Sequence, residues 1–166
     1  MKIVTQNFKT GVLSLVDIPI PQVSDGEVLV RTHASLISLG TDRSVIALGK
    51  KNSFSKAISR PDLVKKVLHR VKKEGFWSTF KVVNNLISEP RPFGYSLVGT
   101  VIKVGKLVDD ISVGDRVACS GAGYANHSEV VSVPKNLCVK VPTTVSDENA
   151  VYSTLGTIAM HGIRQA

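Results

Sequence analysis

The sequence contains few cysteines and few aromatic residues, and these shortages exclude several classes of protein. Its 166 residues include two cysteines, Cys119 and Cys138, and its aromatic content is 5%. The cysteines form no C-x-x-C pair and no histidine cluster adjoins them, which argues against a disulfide-rich scaffold or a cysteine-based zinc module. We expect two reduced, buried thiols, although the spacing leaves a disulfide between them open.

Long apolar stretches are also missing. No apolar run approaches the roughly 20 residues of a membrane-spanning helix. The N-terminal sequence MKIVTQNFKTG has no apolar signal core and is typical of a strand. We therefore predict a cytoplasmic protein without a membrane partner. The four histidines are scattered, and we assign none of them as a metal ligand.

Positive charge is concentrated in one part of the chain. The net charge is +8, yet residues 43–81 hold 11 Lys/Arg against two acidic residues, a net of +9, and the remainder has a net of −1. This segment is interpreted as an insertion with its own surface role. It is a solvated helix face, a cover that attracts anionic substrates to the site, or a subunit contact. Nucleic-acid binding is disfavoured, because no RNA or DNA motif adjoins the charge.

Most of the remaining sequence has β character. Alternating apolar residues and Gly/Pro turns predict a barrel or sandwich. The predicted strands are 2–8, 12–18, 27–37, 96–104, 113–119, 124–133 and 137–141. Residues 60–73 and 76–88 have helical periodicity and predict a two-helix hairpin, separated at Glu74-Gly75. A last helix is predicted over Ala150–Ala166, with its start near Ser146.

Six motifs in order carry a family resemblance. They are Ile18-Pro19-Ile20-Pro21, Gly26 to Ala34 (GEVLVRTHA), Gly40-Thr41-Asp42, Gly114-Asp115-Arg116-Val117, Gly123-Tyr124-Ala125, and Val141-Pro142 through Ala159. Together with Pro92 to Cys119 they resemble the first domain of medium-chain dehydrogenases/reductases, the zinc-type alcohol dehydrogenase superfamily. The resemblance covers nearly all of the chain except roughly residues 44–89.

The resemblance implies a fold, and it implies that substrate and cofactor are bound mainly by different domains. Residues 1–150 are expected to form a GroES-like β-barrel that holds the substrate, with 44–89 as a basic helical insertion. Residues 151–166 are expected to start the helix that connects to a Rossmann domain binding NAD or NADP. The chain contains no G-x-G-x-x-G fingerprint, so most of the cofactor site is expected outside it.

The inserted segment narrows the resemblance. Residues 60–68 (RPDLVKKVL) are similar to those of bacterial bi-domain oxidoreductases with a Gfo/Idh/MocA-type second part. Members of that subgroup are often associated with polysaccharide biosynthesis. This implies a small-molecule substrate, in particular an anionic sugar or nucleotide sugar. The superfamily resemblance implies a homo-oligomer when the protein is full length.

The resemblance also identifies where zinc ligands would lie. Carried over position by position, the three catalytic ligands fall at Leu39, Tyr95 and Thr154, because Gly94-Tyr95-Ser96 replaces Gly-His-Glu. A leucine has no lone pair, and a neutral phenol or hydroxyl is a poor zinc ligand. We therefore predict no metal.

The remaining site residues also follow from the resemblance. Thr41 matches the hydroxyl residue that relays a proton near the nicotinamide, and Tyr95 is the candidate donor to a substrate carbonyl. Leu39 and Ser96 are expected in the substrate pocket, and Gly40, Thr41 and Thr154 beside the cofactor. Each has a structural alternative: Thr41 caps a turn, Tyr95 fills vacated volume, and Ser96 supports the fold.

The sequence thus predicts the substrate domain of a zinc-independent, NAD(P)-dependent oxidoreductase. The alternative is a non-catalytic scaffold or assembly module derived from the same fold.

Overall fold

A computed structural model describes residues 1–7, 10–50, 67, 69, 71–73, 75–79, 81–82 and 90–166. The chain divides into two compact units. The first comprises Met1–Val4, Leu15–Ile37 and Pro92–Ala166, and the second comprises Thr5–Ser14 and Ser38–Arg91.

A five-stranded antiparallel sheet forms the first unit. Its strand order is β7-β3-β5-β6-β8. The strands are β3 (Glu27–Ser35), β5 (Ser96–Val104), β6 (Arg116–Ser120), β7 (Val130–Pro134) and β8 (Cys138–Lys140). A 3-10 turn at Lys135–Leu137 joins β7 to β8.

The main core lies on one face of this sheet. Val30 on β3 pairs with Val101 on β5 and with Val131 on β7, and all three side chains are buried. Burial of each such side chain contributes about 1.5–3 kcal/mol. Gly99 allows the central strands to approach, because a Cβ there would lie 2.1 Å from the carbonyl oxygen of Arg31.

A smaller core on the other face receives two helices. Leu36 and Val98 pack there with Ala150 and Val151. The helices are α2 (Asp147–Ala150) and α3 (Ser153–Gln165), and the backbone N–H of Asn149 donates to the Ser146 side chain, which caps α2. The expected start near Ser146 is confirmed, but the predicted single helix is interrupted at residues 151–152.

A second, three-stranded sheet has the order β2-β1-β4. It consists of β1 (Lys2–Asn7), β2 (Leu13–Asp17) and β4 (Pro90–Pro92). The predicted opening hairpin is therefore confirmed. In two other places the predicted strands begin too early, since β6 starts at Arg116 and β7 at Val130.

The second unit contains the helix α1 (Leu39–Lys50). The sequence instead predicted a turn at Gly40-Thr41-Asp42 and assigned no helix here. The described residues between 67 and 82 are helical apart from Gly75, whose φ of +83° ends the first helical stretch, as expected. The rest of the predicted helical hairpin lies outside the described residues.

The predicted fold class, mainly β and GroES-like, is confirmed by these two antiparallel sheets. The described strands form open sheets, and no closed barrel is detected among them. Within the described part of the chain, no helix combines the length and apolar content needed to cross a membrane.

Candidate substrate and cofactor site

The site begins at Gly94, whose backbone only glycine adopts without strain. Its φ is +102°, and a Cβ there would lie 2.7 Å from the backbone nitrogen of His127. The following residue, Tyr95, accepts a hydrogen bond at its carbonyl from the N–H of Gly121, at 2.9 Å. Gly94 and this bond fix the direction in which the chain enters β5.

The phenol of Tyr95 is the unusual group of this segment. Its hydroxyl oxygen is buried, and it has no hydrogen-bond partner among the described residues. Leaving a buried hydroxyl without a partner costs about 1–3 kcal/mol. Among the described residues, no backbone group bonds this hydroxyl.

Three hydroxyl groups form a chain of hydrogen bonds that includes Ser96, the residue after Tyr95. Ser96 donates to the carbonyl of Val151 at 2.7 Å, and Thr154 donates to Ser96 at 2.8 Å. The oxygens of Ser120 and Thr154 also lie 2.8 Å apart. A hydroxyl has one hydrogen, so Thr154 has none left and Ser120 must be the donor to Thr154. The chain of hydrogen bonds ends at the Val151 carbonyl.

This arrangement bears on the predicted roles of two residues. Ser96 is fully buried, and its only hydrogen is donated to the carbonyl of Val151, which lies between α2 and α3. Thr154 joins α3 to β5 and β6 through its two hydroxyl contacts. Both side chains connect the helices to the sheet, which favours the structural alternative for Ser96.

The donor set at the expected zinc positions does not fit a zinc ion. Leu39 offers a hydrocarbon, Tyr95 a phenol, and Thr154 a hydroxyl already bonded to Ser96. No group of three or more His, Cys, Asp or Glu residues that could hold a metal occurs within the described ranges.

The other predicted residues lie at the start of α1, in the second unit. The backbone N–H of Thr41 donates to Ser38 Oγ at 3.4 Å, and the Asp42 carboxylate accepts from the N–H of Ser38 at 2.7 Å. These reciprocal bonds cap the helix. Leu39 is 84% exposed, and Gly40 and Thr41 are also exposed. The structure thus brings Ser96 and Thr154 together, and separately groups Leu39, Gly40 and Thr41.

An ionic network that was not predicted from the sequence positions the helices. Arg116 donates to the carbonyls of Pro142, at 2.7 Å, and Val145, and its other terminal nitrogen lies 3.3 Å from Asp147. His33 lies 2.9 Å from the same carboxylate. Arg116 belongs to the GDRV motif, so the sequence could have indicated that this residue matters. The roles of His33 and Asp147 depend on long-range contacts that the sequence does not reveal.

The sequence matches a known protein family. Residues 24–143 match the alcohol dehydrogenase GroES-like domain family. The chain therefore belongs to that family.

Individual relatives are longer than this chain. The probable D-xylulose reductase A of Neosartorya fischeri is 27% identical over 119 residues, which cover 55% of this chain and 33% of that protein. The quinone oxidoreductase of Coxiella burnetii has a similar fold, with a TM-score of 0.67, 21% identity and coverage of 100% of this chain and 45% of its own. The Escherichia coli quinone oxidoreductase in complex with NADPH also has a similar fold, with a TM-score of 0.65 and 19% identity. The match covers 98% of this chain and 40% of that protein. The chain thus spans less than half of each of these proteins.

Proposed function

We propose that this chain is the substrate domain of a zinc-independent, NAD(P)-dependent oxidoreductase, in which Tyr95 donates a hydrogen bond to a substrate carbonyl. The observation that carries the proposal is the buried Tyr95 hydroxyl without a partner among the described residues. Family membership supports the oxidoreductase class, and the reductase name of the Neosartorya relative agrees with it.

Reduction of a carbonyl without zinc requires a hydrogen-bond donor to the carbonyl oxygen. Negative charge develops on the carbonyl oxygen as the carbonyl carbon accepts a hydride, and a fixed donor stabilises that charge more than it stabilises the ground state. The phenol of Tyr95 has an O–H donor that is free among the described residues, and the bond from Gly121 to the Tyr95 carbonyl fixes the backbone that carries it. Removing one donor of this kind lowers kcat by about 10²–10³-fold in well-studied enzymes.

We assign the contacts with the cofactor to residues at the start of α1. A nicotinamide group would supply the hydride, and the NADPH in the Escherichia coli complex supports this choice of cofactor. We assign Gly40 and Thr41 to its contacts, with Thr41 relaying a proton, and Leu39 to an apolar substrate contact. All three are exposed at the beginning of the helix. Thr154 remains a cofactor candidate, although its hydroxyl hydrogen is donated to Ser96.

The finer assignment concerns the substrate and the rest of the protein. The net charge of +9 over residues 43–81 supports an anionic sugar or nucleotide sugar as the substrate. We propose a bacterial, cytoplasmic homo-oligomer with a Gfo/Idh/MocA-type second part, active in polysaccharide biosynthesis. The Gfo/Idh/MocA-type second part and the role in polysaccharide biosynthesis rest on the resemblance of residues 60–68 alone.

The test compares two tyrosine variants in the full gene product. Hydride transfer from NADPH and NADH to quinones, aldehydes and nucleotide sugars is followed by absorbance. Tyr95→Phe is expected to lower kcat by 10²-fold or more with little change in KM, because the donor acts on developing charge. Tyr124→Phe, which also removes one phenol oxygen, is the matched control and should retain activity. Unchanged kcat in Tyr95→Phe would contradict the role of Tyr95.

Binding and metal measurements separate the remaining alternatives. A protein that binds NADPH, yet reduces no acceptor and is unaffected by Tyr95→Phe or Thr41→Ala, would favour the scaffold. Stoichiometric zinc in the purified protein, with activity lost on its removal, would overturn the zinc-independent assignment.

A further inference from the structure

The two cysteines of the chain lie opposite each other in the five-stranded sheet. Cys119 on β6 pairs with Cys138 on β8, and their sulfur atoms are 3.6 Å apart. Both are free thiols. The sequence predicted two reduced, buried thiols; Cys138 is instead half-buried, and the proximity of the two sulfur atoms depends on the register of two strands.

The backbone hydrogen bonds identify the type of strand pair. The N–H of Val141 donates to the carbonyl of Arg116, and the N–H of Cys138 donates to Lys135 rather than to β6. Counting along the ladder from Arg116, Cys119 and Cys138 occupy a position that is not hydrogen-bonded. Cα atoms at such positions are about 4.5 Å apart, which lies within the range that disulfides span.

The two thiols differ in exposure and in acidity. Cys119 is fully buried, whereas Cys138 is half-buried. Cys138 donates to the carbonyl of Pro134, so Cys119 is the donor to Cys138. That hydrogen bond, together with burial, raises the pKa of Cys119, and the same bond lowers the pKa of Cys138. Cys138 is therefore the thiol that a reagent meets first.

We infer that Cys119 and Cys138 form a thiol-oxidation site, which closes to an intramolecular disulfide by exchange with a small disulfide such as oxidised glutathione. The Cys138 thiolate attacks one sulfur of the reagent, and a mixed disulfide forms as one glutathione thiolate leaves. Cys119 then gives its proton to the first glutathione thiolate and attacks the Cys138 sulfur, so that the bond to the second glutathione breaks and this glutathione leaves as a thiolate. Two protein thiols are oxidised and one reagent disulfide is reduced to two thiols.

The modification would act next to the hydroxyl chain. Cys119 precedes Ser120, whose oxygen lies 2.8 Å from that of Thr154. A disulfide shortens the sulfur separation from 3.6 Å to about 2.05 Å and places this covalent link one residue from Ser120. The inference stands on strand register and thiol geometry, and it does not depend on the proposed oxidoreductase activity.

The experiment treats the folded gene product with oxidised glutathione and analyses it by intact mass and non-reducing peptide mapping. The wild type is expected to lose two hydrogen atoms in mass and to yield one peptide pair linked through Cys119 and Cys138, reversed by dithiothreitol. Cys119→Ser should stop at a glutathione adduct on Cys138, because the second thiol is missing. Cys138→Ser should leave Cys119 unmodified, because that thiol is buried.

Three results would overturn the inference. They are a wild type that stops at the glutathione adduct, cysteines that stay free in the folded protein but crosslink in urea, and links that join different molecules. Circular dichroism of each variant checks that it is folded. If a serine variant does not fold, alkylation of the wild type under native conditions still compares the reaction rates of the two thiols. Faster labelling of Cys119 than of Cys138 would contradict the assignment of Cys138 as the first thiol to react.

Discussion

Thr154 and Ser96 are 58 residues apart in the sequence, yet their hydroxyl oxygens lie 2.8 Å apart, and Thr154 is the donor. The bond joins the first turn of α3 to the first residue of β5. Because Ser96 passes its own hydrogen to Val151, the contact is the middle link of a chain that connects helix and sheet.

Thr154→Val should destabilise the fold. The substitution keeps the side-chain shape but removes the hydroxyl, so Ser96 loses a donor and Ser120 loses an acceptor. We expect a decrease of about 1–3 kcal/mol in the free energy of unfolding, measured by urea denaturation. Thr157→Val on the same helix is the control, because its exposed hydroxyl bonds only within α3. An equal effect of the two substitutions would show that the inter-element bond contributes nothing.

Gly94→Ala should be more destabilising than Gly114→Ala. Both glycines have positive φ, +102° and +92°, so both substitutions carry the conformational penalty of about 1–2 kcal/mol. Only at Gly94 would the new Cβ meet the backbone nitrogen of His127, at 2.7 Å, whereas Gly114 has open space. Chemical denaturation gives the loss in the free energy of unfolding for each variant, and the difference between the two losses measures the cost of the steric clash at Gly94. Equal stabilities would mean that the backbone near His127 moves freely.

Tyr95→Phe should leave the fold intact or stabilise it, although it impairs the proposed activity. Removing a buried hydroxyl that lacks a partner relieves a desolvation cost, and we expect a gain of about 1 kcal/mol in the free energy of unfolding. Tyr124→Phe, at a partly exposed phenol, should change stability by less than about 0.5 kcal/mol. A clear loss of stability in Tyr95→Phe would reveal a partner for its hydroxyl in solution.

Glu27 should contribute a pH dependence that Ser132 controls. The hydrogen bond from Ser132, at 2.8 Å, is the main cause that lowers the pKa of Glu27 below its usual 4.5, with further bonds from Ser24. A lowered folded pKa means that the stabilisation is present above pH 4.5 and is lost as the pH falls through the folded pKa.

Ser132→Ala should raise the pKa of Glu27 towards that usual value and reduce the loss of stability in acid. An NMR titration of the Glu27 carboxyl follows the pKa directly. Ser112→Ala is the matched control, because Ser112 binds Asp115 through its backbone N–H, which the substitution retains. A Glu27 pKa that is the same in wild type and Ser132→Ala would contradict the assigned cause.

Local signals predicted most of the strands but not the contacts between them. The alternation around Val28 and Val98, and the glycine and proline turns, depend on near neighbours and were readable from the sequence. Helix α1 was missed because Gly40 suggested a turn, whereas the bonds between Ser38 and Asp42 cap a helix there. The hydroxyl chain and the cysteine pair require the strand register, which single-sequence patterns do not define.

One guanidinium restricts how this protein can vary. Arg116 holds the carbonyls of Pro142 and Val145 and the carboxylate of Asp147 at once. These acceptors all lie in the short loop formed by residues 142–147. An inserted or deleted residue within this loop would put at least one of them out of reach of Arg116. The loop length is therefore constrained by a side chain on a neighbouring strand, and sequence drift in the loop is expected to proceed by substitution rather than by changes in length.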